Sequence, residues 1–171
     1  KVFHINGFIH PPDLNTQPPD EIISFFGKSK LRFITSGQIV SSKMEDIYGL
    51  WNMIPFVKSI LNKNIDIKLC VVSYNFGYDN TRFRVEYQKL INQQGISNNI
   101  FLFHSNIQLW PLLKYSNYFI RPSVTDGDSN AVREALALNN TVFCSDCVER
   151  PKQSILYKTD DNNDLIDKVL I

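Results

Sequence analysis

The chain has 171 residues, 43% of them hydrophobic and 20% charged, with a formal net charge of +1. That length suits one domain with a sizeable core, and the balanced charge points to no nucleic-acid or membrane surface. No apolar run approaches a membrane span and no signal-peptide pattern opens the chain, while Lys1 in place of Met leads to the expectation of a fragment of a longer protein.

Residues 1–19 differ from the rest. "KVFHINGFI" is strand-like, and "HPPDLNTQPPD" holds four prolines in eleven residues. Proline removes donors and favours extended backbone, so residues 1–19 read as an interdomain linker remnant and residues 20–171 as the domain. Asp20 is expected to cap a short helix, "EIISFF", that Gly27 ends.

From residue 31 strands and helices alternate. "LRFITSG" is an apolar strand ending in a small-residue turn. "YGLWNMIPFVKSILNK" follows, with Leu50, Ile54, Val57 and Leu61 on one helical face. Pro55 requires that this helix start near Asn52 or kink. "DIKLCVVSY" is a second strand with no wet face. Asn80 is expected to cap "TRFRVEYQKLINQQ", whose apolar face is Phe83, Tyr87, Leu90 and Ile91, and Gly95 to end it. "NIFLFHS" is a third strand, and Asn106 is expected to open a short helix through "LWPLLKY". "YFIRPS" is a fourth strand, "TVFCS" a fifth, and "ILYK" a weak sixth before a helix opened by "TDDNND".

Short apolar strands alternating with amphipathic helices imply right-handed crossovers and a parallel sheet covered on both faces. The expected fold is α/β, a doubly wound Rossmann-like sheet of about six strands. Ligands of such sheets bind beyond the strands' carboxyl ends. Those ends are Ser36-Gly37, Tyr74-Asn75, His104-Ser105, Ser123 to Asn130 and Ser145-Asp146. The three cysteines, Cys70, Cys144 and Cys147, are an odd count that argues for a reducing compartment. "CSDC" has metal-site spacing, yet it closes an apolar strand and the histidines are not paired, so it reads as buried cysteine and no metal is expected.

The stretch "TDGDSNAVREAL" follows the fourth strand and carries three carboxylates, Asp126, Asp128 and Glu134. Asp128 or Ser129 can serve as a helix cap. Two acids near one N-terminus exceed what capping needs, and Glu134 lies in the helix body. Gly127 lets backbone approach a ligand. The free N–H groups of a helix beginning near Ser129 suit a phosphate, and carboxylates beside a phosphate suit sugar hydroxyls. On the residues alone, capping with solvation and the binding of a sugar–diphosphate ligand both stay open.

Strand, Arg-Pro-Ser, an acid, seven residues and then Glu-Ala resembles the C-terminal half of retaining glycosyltransferases of the two-domain GT-B type. The closest likeness is to the group that builds bacterial polysaccharides and lipopolysaccharides. The signature residues are Pro122, Ser123, Asp126 and Glu134, followed by Ala135-Leu136-Ala137, and the similarity covers about residues 31–171. The resemblance implies that Asp126 and Glu134 are the catalytic acids, Glu134 holding the ribose hydroxyls of a nucleotide sugar. Asp126 and the backbone of Gly127, Asp128, Ser129 and Asn130 would hold the transferred sugar and the diphosphate. Gly37 would face the diphosphate from the other side, and the backbone near Phe103 and His104 would read the base.

The chain departs from that pattern in three places. Asp126 stands where glutamate is commoner, and Asn139-Asn140 where glycine and proline are favoured. Tyr48 precedes Gly49 where a lysine usually neutralises the diphosphate, which nominates Lys43 as a replacement. The implied activity is transfer of a sugar from a nucleoside-diphosphate sugar to an acceptor hydroxyl with retention, in cell-surface polysaccharide synthesis. The implied partners are that donor and a missing N-terminal acceptor domain, with no cofactor, no metal, no nucleic acid and no membrane contact from this fragment. The implied location is the cytoplasm, with the parent enzyme at the inner face of the membrane. The alternatives are a non-catalytic nucleotide-binding module of the same fold and a receiver- or flavodoxin-like domain. The ending "TSGQ" of the first strand lacks the acids that a receiver domain needs.

Overall fold

The computed structural model describes residues 15–38, 45–74 and 81–171. Their elements run α1 (Asp20–Phe26), β1 (Arg32–Gly37), α2 (Met53–Leu61), β2 (Lys68–Ser73), α3 (Thr81–Gln93), β3 (Ile100–His104), α4 (Trp110–Tyr115), β4 (Tyr118–Arg121), α5 (Asn130–Ala137), β5 (Thr141–Ser145), β6 (Ile155–Tyr157) and α6 (Asn162–Leu170). The expected α/β alternation is present. The segments that were to hold the linker's first residues, Lys43 and the Asn80 cap lie outside the described residues.

All neighbouring strands pair in parallel, in the order β3-β2-β1-β4-β5-β6. The continuous apolar runs are explained by burial on both sides. Alternate residues face opposite layers: Phe33, Leu69, Val71 and Ile120 join one core with α2, α3 and α6. Ile34, Cys70, Val72 and Phe119 join the other with α1, α4 and α5. The chain winds outward from β1 through β2 to β3 and then crosses back to β4. The order therefore reverses between β1 and β4, and a crevice opens above their carboxyl ends.

Several helix boundaries differ from expectation for local reasons. A 3-10 turn over Leu50–Asn52 precedes α2, so Pro55 falls in the first helical turn, where its missing N–H has no partner to lose. Asp20 is the first residue of α1 rather than its cap, because Pro19 occupies the cap position. Asn106 does not open α4: that helix begins at Trp110 with Pro111 second, a place that proline's fixed φ suits. Leu90 is 38% exposed, so the buried face of α3 is Phe83, Tyr87 and Ile91. Gly27 and Gly95 end their helices at φ 48° and 67° as read, and Asp161 caps α6 by accepting from the N–H groups of Asn163 and Asp164. Among the described residues no helix is long and apolar enough to cross a membrane.

Candidate functional site

A cleft of about 750 Å³ lies over the β1–β4 reversal. Its walls come from the ends of β1 and β4, from Tyr48 and Tyr74, from the loop after β3 and from the start of α5. Arg121, the last residue of β4, stands at its floor. A charged residue ends this strand, although the strand is otherwise buried on both faces.

The carboxylate of Asp126 is the partner of Arg121. Arg121 Nε donates to Oδ2 and Nη2 to Oδ1, each at 2.8 Å, while Nη1 donates to the Ser36 carbonyl at 3.1 Å. Arg150 reaches the same carboxylate from behind, Nη1 to Oδ2 at 2.8 Å. Ser123 Oγ donates to Oδ2 at 3.3 Å and the Gly127 N–H to Oδ1 at 3.0 Å. Two carboxylate oxygens offer about four acceptor positions, and the protein's own donors fill them. The ion pairs are nearly dry, with side chains of Arg121 and Asp126 each 9% exposed and that of Arg150 2%. Burial opposes the charge of Asp126, but the hydrogen bonds and positive charges of Arg121 and Arg150 prevail and hold its pKa down at about 2.

Tyr48 roofs this cluster, its ring centred 4.5 Å from the Arg121 guanidinium carbon. Two glycines make the approach possible. A Cβ on Gly37 would stand 2.7 Å from Tyr48 Cβ, and one on Gly49 would stand 2.0 Å from the Pro122 carbonyl oxygen. Gly49 also has φ +67°, a conformation natural to glycine. A hydrogen bond from the Val124 N–H to the Ile47 carbonyl, at 3.0 Å, ties this turn to the segment after β4.

Glu134 lies one turn into α5, half-buried and lining the cleft. Burial raises its pKa, and among the described residues no cation pairs with it. The Tyr74 hydroxyl, which lines the same cleft, has its pKa driven upward by burial first and by the charge of Glu134 second. At the head of α5, Ser129 has the extended backbone of an N-cap, yet its side chain makes no capping bond. Asp128 does not cap either, and pairs instead with Arg133 at 2.8 Å. The first-turn N–H groups of α5 are thus left to the cleft, beside Ser129, Asn130 and Ala131 on its wall.

Of the residues singled out from sequence, Gly37, Asp126, Asp128, Ser129, Asn130 and Glu134 line one cleft. Gly127 borders a neighbouring hollow, and apart from its two chain neighbours no described residue comes within 4 Å of where its Cβ would stand. Phe103 is a core residue, 6% exposed, and His104 is held through Nδ1 by the Ser73 carbonyl at 3.0 Å. The loop from Asn106 to Trp110 lines the cleft where those two side chains do not. Sequence reading missed Arg121, Arg150 and the roofing role of Tyr48. The signal available was the lone charge closing "YFIRPS".

Comparison with known proteins meets this geometry. No family model matches the chain. An uncharacterized glycosyltransferase of Methanocaldococcus jannaschii is 29% identical over 140 residues, which are 82% of this chain and 32% of that protein. The C-terminal domain of a glycosyl transferase group 1 family protein from Francisella tularensis superposes with a TM-score of 0.65 at 15% identity, covering 90% of this chain and 82% of that one. The chain has the fold of one half of a GT-B-type structure. An alpha,alpha-trehalose-phosphate synthase (UDP-forming) from Burkholderia xenovorans, solved with glucose-6-phosphate, shares this GT-B half at TM-score 0.72 and 9% identity, over 88% of this chain and 37% of that one. The chain spans about a third of the length of its Methanocaldococcus relative. Within the GT-B frame, the cleft described above lies at the carboxyl edge of the sheet, and the acids at 126 and 134 flank the head of α5.

Proposed function

We propose that this chain is the donor-binding domain of a retaining glycosyltransferase that moves a sugar from a nucleoside-diphosphate sugar to an acceptor hydroxyl, in cell-surface polysaccharide synthesis. One observation carries the reading. An uncapped helix start and a half-buried carboxylate that pairs with no cation among the described residues sit side by side in a cleft at the sheet's reversal point. Helix N–H groups suit a diphosphate, and a carboxylate without a cation suits the vicinal hydroxyls of a ribose. The bond between the anomeric carbon and the diphosphate oxygen breaks, a bond to the acceptor oxygen forms, and the acceptor's proton leaves. The transition state resembles an oxocarbenium ion with charge building on the departing phosphate. The domain's part is to meet that charge with fixed donors, so the reading assigns no metal and no organic cofactor. The acceptor would be held by a further, N-terminal domain of the parent polypeptide, working in the cytoplasm.

A non-catalytic nucleotide-binding module is the second reading, favoured by the saturated carboxylate of Asp126. Calorimetric titration with UDP, GDP and ADP and with their sugar conjugates separates the two. A donor domain binds one nucleoside diphosphate and discriminates among its sugar conjugates. A module binds the diphosphate with no preference among sugars. Binding of none of them would overturn both.

A further inference from the structure

Resting on the donor-domain reading, we propose that Arg121 is the cation that contacts the donor's diphosphate, with Asp126 and Tyr48 positioning it. Among the described residues lining the cleft, Arg121 is the one basic side chain, against the carboxylates of Asp126, Asp128 and Glu134. Among the described lining residues, the positive potential that an anion finds in this cleft therefore comes from Arg121 and the start of α5.

The cluster keeps that cation effective. Asp126 alone would neutralise Arg121, but Asp126 is shared with Arg150, which approaches from the neighbouring hollow and does not line the cleft. Two arginines on one carboxylate leave a net charge of about +1, and Arg121 presents it to the cleft. A guanidinium has five N–H donors. Nε, Nη1 and Nη2 each spend one within the protein. One N–H on each Nη nitrogen remains without a partner among the described residues. Tyr48 lies across the guanidinium face and Ser36 and Asp126 fix its edge, so the plane of the group is set before any ligand arrives. A cation fixed in advance loses little entropy on binding and need not reorganise as the leaving charge develops. Asp126 is then a positioning residue, its oxygens filled by the donors it orients.

The test compares UDP with uridine, following the fluorescence of Trp110 in the cleft wall. GDP against guanosine and ADP against adenosine are run alongside. The wild-type chain should bind its preferred diphosphate about 10- to 100-fold tighter than the matching nucleoside. Arg121→Gln should bring the two within a few-fold of each other and leave nucleoside affinity unchanged. Should that variant fail to fold, Arg121→Gln with Asp126→Asn removes the pair together and leaves Arg150 an amide oxygen to bond. The wild-type protein gives an independent reading, since the Arg121 side-chain nitrogen resonances should shift with UDP and not with uridine. A folded variant that keeps the full diphosphate preference overturns the assignment while the donor-domain reading stands, as do unmoved Arg121 resonances on UDP binding. A wild-type chain that binds no nucleoside diphosphate overturns both.

Discussion

Asp126 and Glu134 are both cleft acids, yet their surroundings push them in opposite directions. Asp126 is ionised by Arg121 and Arg150 to a pKa of about 2, below its ordinary 3.8. A depressed carboxylate adds stability that is fully present above the unfolded value and is lost as pH falls through the folded one, here towards pH 2. Asp126→Asn leaves two nearly buried guanidinium groups without a counter-charge. It should cost roughly 3 kcal/mol and lower the melting temperature by about 6–12 °C, with a flatter acid limb, all measurable by calorimetry between pH 2 and pH 7. Glu134 is raised by burial, so its charged form opposes folding above its folded pKa. Glu134→Gln should therefore leave the melting temperature unchanged or higher. If the carboxylate accepts ribose hydroxyls, the same change weakens nucleoside diphosphate and nucleotide sugar alike by about 1–3 kcal/mol. Wild-type affinity would then fall as pH drops through the raised Glu134 value, and this slope should vanish in Glu134→Gln. An unaltered dissociation constant at neutral pH would leave Glu134 a cleft-wall charge with no ligand.

At the scale of elements, the cleft depends on the turn from Asp46 to Leu50 lying flat on the ends of β1 and β4. Asp46 Oδ2 accepts the Trp51 N–H at 2.7 Å and anchors the turn's far end. Gly49→Ala puts a methyl group on the Pro122 carbonyl and strains a positive-φ residue. It should cost about 3 kcal/mol or more, read as a lower midpoint in urea, and should abolish UDP binding by lifting Tyr48 from Arg121. The strands were legible in advance because parallel strands buried on both faces are continuous apolar runs, as in "KLCVVS". The head of α5 was legible because a glycine and small polar residues follow a strand in "TDGDSN". Its cap was not. Asp128 turns to Arg133, and nothing in local spacing distinguishes an aspartate that caps from one that pairs. Arg150 lies 24 residues from Asp126, and the Ser36 carbonyl lies 85 residues from Arg121. Such contacts follow from sheet order, and periodicity carries no trace of them.

For the whole molecule, the site's groups gather at one edge of the sheet. The cleft presents helix N–H groups, Arg121 and Glu134 to a donor, all from the sheet's carboxyl edge and the loops above it. Transfer needs an acceptor oxygen held about 3–3.5 Å from the anomeric carbon and aligned with it. The proposed assignments give none of the described cleft groups to an acceptor. The Methanocaldococcus relative, of which the 140 matched residues are 32%, is more than twice as long as this chain of 171 residues. The chain by itself should therefore bind nucleoside diphosphates and fail to glycosylate, even with donor and acceptor in excess. Mass spectrometry of the acceptor after incubation with each sugar conjugate that the chain binds reads this directly. Slow release of free sugar would be consistent with the prediction, because water enters an open cleft without being positioned. A glycosylated acceptor formed by these 171 residues alone would contradict it. The acceptor site would then lie within this domain, and the search for a base would turn to the groups nearest Glu134, beginning with Tyr74.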